Sequence, residues 1–429
     1  MFKRFLLTPV ALATALTALP SQAQNAPAAD ATALMQRIEQ MAADMAQLKA
    51  QLVQLQASQA AAARPAPAAE AARAATPEAA APATVLSGYG ELEYSRPRRQ
   101  ATQAQADLRR VVLGVAHRFD DQTRLVTEIE IEHGVSSAGD AGEVAVEQAY
   151  IEHQLTPTWR LLGGLFLMPS GLLNENHEPS AFLGVGRNEV ETAIIPTTWR
   201  EGGLMAVGQF DNGLTWQAGL STGFNLGKWD ASSTEGRESP LGAIHQEMSV
   251  ANARNLAWFS ALNWRGVPGL QLGGSWFSGG ATQGLTPGVS SRITLWEGHA
   301  RWTPGRWDIS ALVARGQISQ TAALNAPLVG SATLIPARFD GAYVQAGYQL
   351  WRQGRYQLTP FARWETVNTG RSYADLGPGL TPSALPTERI VTLGANLQFA
   401  PGVVLKADWQ RFGVNRDNDR TRLGLGWSF

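Results

Sequence analysis

The chain has 429 residues, 44% of them hydrophobic and 17% charged, with a formal net charge of -1 and no cysteine. The near-neutral balance argues against nucleic acid as a partner, and the missing thiols exclude disulfides, thiolate metal sites and a cysteine nucleophile. Mean hydropathy is -0.14 and no long apolar run follows the N-terminus, which argues against spanning helices, since these need about 20 apolar residues.

In chain order, Lys3 and Arg4 precede an apolar run from Phe5 to Leu19, and Ser21-Gln22-Ala23 form a small-x-small site. This predicts a secretory signal peptide over 1–23. Leu34, Ile38, Met41, Met45, Leu48, Leu52 and Leu55 then alternate at spacings of four and three. Such a seam predicts a short α-helical coiled coil within 24–56 that associates copies of the chain. Residues 57–84 are almost all Ala, Pro, Glu and Arg and read as a disordered linker.

From 85 to 429 the chain alternates apolar and polar residues, the pattern of half-buried strands. Tight turns fall at Asp120-Asp121, Thr156-Pro157, Asp211-Asn212-Gly213, Gly266 to Gly269, Pro304-Gly305, Gln353-Gly354 and Pro401-Gly402. Longer connections lie between them, near 96–106, 134–142, 168–197, 225–252, 278–289, 317–338, 366–387 and 414–419. Short turns on one side and long loops on the other are the asymmetry of an all-β transmembrane antiparallel barrel, here of about sixteen strands. In the last strand Thr421, Leu423, Leu425, Trp427 and Phe429 share the apolar parity. This resembles the signal read by the barrel-assembly machinery of the bacterial outer membrane.

The opposite parity points into the barrel. It carries Arg110, Arg118, Glu128, Glu130, Glu132, Glu297, His299, Arg301, Arg306, Asp308, Arg363, Glu365, Lys406, Asp408 and Arg422. A barrel this wide leaves an aqueous channel, and water there supports charges that a dry core would not. The long connection 169–197 holds too many Leu, Phe and Ile residues for a solvated loop and is expected to pack inside something. Asn174, Glu175, His177, Glu178, Arg187 and Glu189 are its candidates for narrowing a pore, as the third loop does in sixteen-stranded general porins. Oxygen and nitrogen ligands as close as Glu175, His177 and Glu178 arise often by chance, so no metal is expected.

The segments Val146-Glu147-Gln148-Ala149-Tyr150-Ile151-Glu152 and Gly164-Leu165-Phe166-Leu167-Met168-Pro169-Ser170-Gly171 carry a resemblance. So do Asn174 to Pro179 and Ile195 to Gly203. Together they resemble the outer-membrane porins of the phosphate-selective O/P type. The resemblance implies a homotrimer in the outer membrane, and some such porins with a periplasmic coiled coil carry organic acids. The lysine cluster of that family has no counterpart, because only Lys228 and Lys406 follow Thr84.

The expectation is a porin for small hydrophilic solutes, without enzymatic activity or cofactor, surrounded by outer-membrane lipid and extended into the periplasm by its N-terminus. The alternative is a structural anchor that uses the coiled coil as a tether. An outer-membrane enzyme would need a nucleophile or carboxylate beside a histidine, and His117, His133, His153 and His299 form no such local set. A trimeric adhesin would need a longer N-terminal passenger.

Overall fold

The computed structural model describes residues 83–429 and, before them, only Gln40. The expected signal peptide, the heptad seam from Leu34 to Leu55 and nearly all of the linker lie outside the described residues.

Strands β1 (Thr84–Pro97), β2 (Gln105–Arg118), β3 (Thr123–Glu132), β4 (Val144–Gln154) and β5 (Trp159–Leu167) come first. They are followed by β6 (Arg200–Gln209), β7 (Leu214–Ser221), β8 (Ala257–Val267), β9 (Leu270–Gly280), β10 (Arg292–Trp302) and β11 (Trp307–Ile318). The last are β12 (Arg338–Tyr348, resumed over Trp351–Gln353), β13 (Tyr356–Ser372), β14 (Glu388–Ala400), β15 (Val403–Phe412) and β16 (Arg420–Ser428). Both parts of β12 pair with β13, so the barrel has 16 strands.

Each strand runs antiparallel to the next, and β16 returns to β1 in register from Tyr89↔Ser428 to Pro97↔Arg420. Closure leaves no free strand edge. Gly88 and Gly90 take part in it: a Cβ on either would meet the ring of Phe429 or Trp427, so the terminal aromatics lie directly on the β1 backbone.

The expected tight turns all join strands. Gly213, Gly269, Gly305, Gly354 and Gly402 hold the positive φ that five of them require. In the other two a side chain closes the turn: Asp120 Oδ1 accepts from the backbone N–H of Gln122 and Thr123, and Thr156 Oγ1 from that of Trp159. The faces follow the expected parity. In β6 Leu204 is 69% exposed and Met205 3%; in β8 Trp258 is 61% exposed and Phe259 3%. Near Glu128 the β3–β4 register shifts. Glu147 and Gln148, neighbours in sequence, both reach inward partners there, Tyr89 and Glu128. A bulge re-aims side chains in this way.

The inner wall has two unlike halves. On β6 and β8 to β12, Met205, Val207, Phe259, Phe277, Leu295, Leu312 and Phe339 point inward and are buried. They join Ile194, Ile195 and Trp199 of the 168–199 connection, and Phe224, Leu241 and Ile244 of the 222–256 connection, in one apolar cluster. Trp199 packs against Phe224 and Phe277 with centroids 5.3 and 4.9 Å apart. The opposite half, β1 to β4 and β13 to β16, carries most of the inward charge.

Candidate functional site

The 168–199 connection, the third long loop, crosses the lumen from the apolar half to the charged half. Its base is tied by Asn174, whose Nδ2 donates to the carbonyls of Met168 (2.7 Å) and Trp199 (2.8 Å) and whose Oδ1 accepts from Trp199 N (2.7 Å). Glu191 ties the middle, accepting from Leu172 N, Leu173 N, Asn188 Nδ2 and Tyr343 Oη at 2.7 to 3.0 Å. Burial raises this carboxyl above its ordinary range, and the donors bring it back only in part. The tip is held by the charged wall. Asn396 Nδ2 and Lys406 Nζ each donate to the Phe182 carbonyl at 3.2 Å, Val185 N donates to Asp408 (2.7 Å), and Glu189 N to Glu365 (2.7 Å).

Two cavities lie on either side of this tip. One of about 420 Å³ is lined by Glu91, Glu93, Arg110, Glu130, Arg187, Glu189, Arg420 and Arg422 among others. The second, about 370 Å³, is lined by polar groups including Arg301, Arg306, Asp308, Gln349, Asn396 and Gln398. Ion pairs account for most of the charge around them. Arg110 reaches Glu91 and Glu130 at 2.9 Å and Glu132 at 3.9 Å. Arg422 grips both oxygens of Asp408 at 2.9 Å, and Arg420 meets Glu189 at 2.9 Å. Arg301 pairs with Asp308 and Arg363 with Glu365, both at 2.7 Å.

Arg187 differs. Its guanidinium is held by the hydroxyls of Thr197 and Thr198, and among the described residues no carboxylate pairs with it. Its second terminal nitrogen is buried without a partner. Burial, with Arg110 nearby, draws its pKa below the usual arginine range.

The structure brings together Arg110, Glu130, Glu132, Arg187, Glu189 and Arg422 around the larger cavity. Glu128 accepts from Gln148 at 2.6 Å, and Glu297 pairs with His299 at 2.8 Å inside the apolar half. Some residues behave otherwise than expected. Arg118 stands at the exposed end of β2. Arg306 sits in a turn rather than on a strand, because β11 begins only at Trp307. Asn174 ties the loop base, Glu175 accepts from Gln217 of β7, Glu178 is exposed, and His177 is buried against Glu147 at 3.5 Å. Glu175 and His177 therefore serve separate contacts, on β7 and β4. Phe182, Arg420, Glu91, Glu93 and Glu147 were not among the expected site residues. The last is placed by a bulge that strict alternation does not register.

No family model matches the chain. An uncharacterized protein of Aquifex aeolicus (strain VF5) is 30% identical over 358 residues, covering 80% of this chain and 79% of that protein. This chain belongs to the same family as that protein. Among solved structures, Salmonella typhi OmpF in complex with daunomycin is similar at 11% identity and a TM-score of 0.55, over 81% of this chain and 97% of that one. An anion-selective porin from Comamonas acidovorans is similar at 10% identity and a TM-score of 0.52, over 81% of this chain and 99% of that one. At these identities the likeness is one of fold, the closed 16-strand barrel.

Proposed function

We propose that the protein is an outer-membrane porin through which small hydrophilic, charged solutes diffuse passively, narrowed by the third long loop. The observation that carries this reading is the loop's path: it crosses the lumen and stands between two cavities of about 420 and 370 Å³ lined by charged and polar groups. A charged wall with water-filled cavities suits ions and polar solutes, and rings of charge are how channels select among them. Arg187, which pairs with no carboxylate among the described residues, offers an anion a binding group in the narrow region. Phosphate selectivity is not part of the proposal, since Lys228 and Lys406 cannot make a lysine cluster. In the same reading the long loops are extracellular, the barrel assembles as a homotrimer by way of the barrel-assembly machinery, and the heptad segment is periplasmic.

The test is single-channel recording of the folded protein in planar bilayers, with the reversal potential measured under a salt gradient. Discrete conductance steps and a reversal potential of the anion sign are expected. A folded barrel that passes no current would overturn the reading and leave the structural anchor in its place.

A further inference from the structure

The loop tip contains one side chain that borders both sides of the partition. Phe182 lines the larger cavity, the smaller one and a small space that adjoins the smaller one at Arg301 and Asp308. The backbone around it is fixed at three points: the Phe182 carbonyl by Asn396 and Lys406, Gly184 N by Asn396 Oδ1 (3.3 Å), and Val185 N by Asp408. Its ring lies against Lys406, with Nζ 3.7 Å from the ring centroid. Lys406 is buried, and among the described residues no carboxylate pairs with it, because Asp408 is engaged by Arg422 and Val185 N. An ammonium removed from water needs such partners, and the face of an aromatic ring is one. Phe182 therefore gives Lys406 both its carbonyl and its ring, and Lys406 holds the ring in place.

We propose that Phe182, held by Lys406, sets the size limit of the channel. It rests on the reading of the barrel as a channel. Among the residues lining the two cavities Phe182 alone is common to both, so its ring is the group whose removal is expected to join them. The polar group at that point is the Lys406 side-chain nitrogen, which the ring covers.

Phe182→Ala and Phe182→Leu in the full chain test this, with folding checked by heat-modifiable mobility in gels. The readouts are single-channel conductance and the swelling of liposomes in sugars of graded size. Phe182→Ala is expected to raise conductance roughly twofold or more and admit larger sugars, and Phe182→Leu to fall between it and the wild type. Lys406→Met, which keeps the stem but removes the charge, is expected to give a noisier current as the ring is freed. A conducting wild type with Phe182→Ala unchanged in conductance and exclusion limit would overturn the size-limit role and leave the channel reading intact. Absence of current from folded wild type and both Phe182 variants would overturn both.

Discussion

The two halves of the inner wall follow one alternation and have opposite characters. Along β8 to β12 the inward residues include Phe259, Phe277, Leu295, Leu312 and Phe339, with Glu297 and His299 paired to each other among them, and they meet loops rich in apolar residues. Along β13 to β16 the inward parity reads Arg363, Glu365, Thr392, Asn396, Lys406, Asp408 and Arg422, and it meets a loop tip that offers backbone N–H and carbonyl groups. The apolar half behaves as the core of a soluble protein does, excluding water by packing. The charged half keeps its groups solvated or paired. A barrel of this size thus need not be a uniform tube: the larger cavity lies against the charged half, and the smaller one also reaches Arg301, Arg306 and Asp308 at the facing ends of β10 and β11.

Trp199→Ala removes a fully buried ring that joins the loop base to Phe224 and Phe277. It is expected to cost about 3–5 kcal/mol in urea unfolding from detergent micelles. A cost under about 1 kcal/mol would mean that this half is not packed as a core. Glu191 lies where the halves meet. Glu191→Ala, which leaves Leu172 N, Leu173 N and the Tyr343 hydroxyl without their acceptor, is expected to cost about 1–3 kcal/mol. Because burial raises the carboxyl above 4.5, the folded loop binds its proton more tightly than the unfolded chain does. Its contribution is complete below pH 4.5 and declines as pH rises through the raised value. Loop protection from protease should therefore fall as pH rises above 4.5 in the wild type, and Glu191→Gln should flatten that dependence. The smallest effect on stability and the sharpest on function belongs to Arg187→Gln. Unfolding should be unchanged, while the anion-to-cation permeability ratio from reversal potentials falls by about a fewfold. An unaltered ratio would remove Arg187 from selection.

Strand count, turn positions and the two faces were legible because they follow from backbone geometry. A period of two marks the faces, and Gly or Asp at a turn marks the ends. That the third loop packs inside could be read from Leu172, Leu173, Phe182, Ile194 and Ile195. The inner wall's division was not read, although its signal is present. Ala257-Trp258-Phe259-Ser260-Ala261-Leu262 and Ile293-Thr294-Leu295-Trp296 are apolar on both parities, as strands buried on both faces are. The inward charges are the more conspicuous feature of that parity, and apolar residues such as Phe259 and Leu295 share it. Within the loop, polar residues were expected to face the pore. Asn174 and His177 instead serve its internal bonding, and the residue bordering both cavities is an aromatic. Sequence alone does not distinguish a polar side chain that lines water from one that satisfies a buried backbone, since both need the same chemical groups.

The most direct test of the packed and the open halves of the inner wall uses the absence of native cysteine. Single cysteines would be placed in the charged half, as Glu93→Cys and Glu132→Cys, and in the apolar half, as Ala257→Cys and Ala314→Cys. Each folded variant would be exposed to a charged, water-soluble thiol reagent while current is recorded. Rapid labelling with a change of current at 93 and 132, and protection at 257 and 314, is the predicted result. Equal labelling on both sides would contradict the account, because water would then fill the half described here as a packed core.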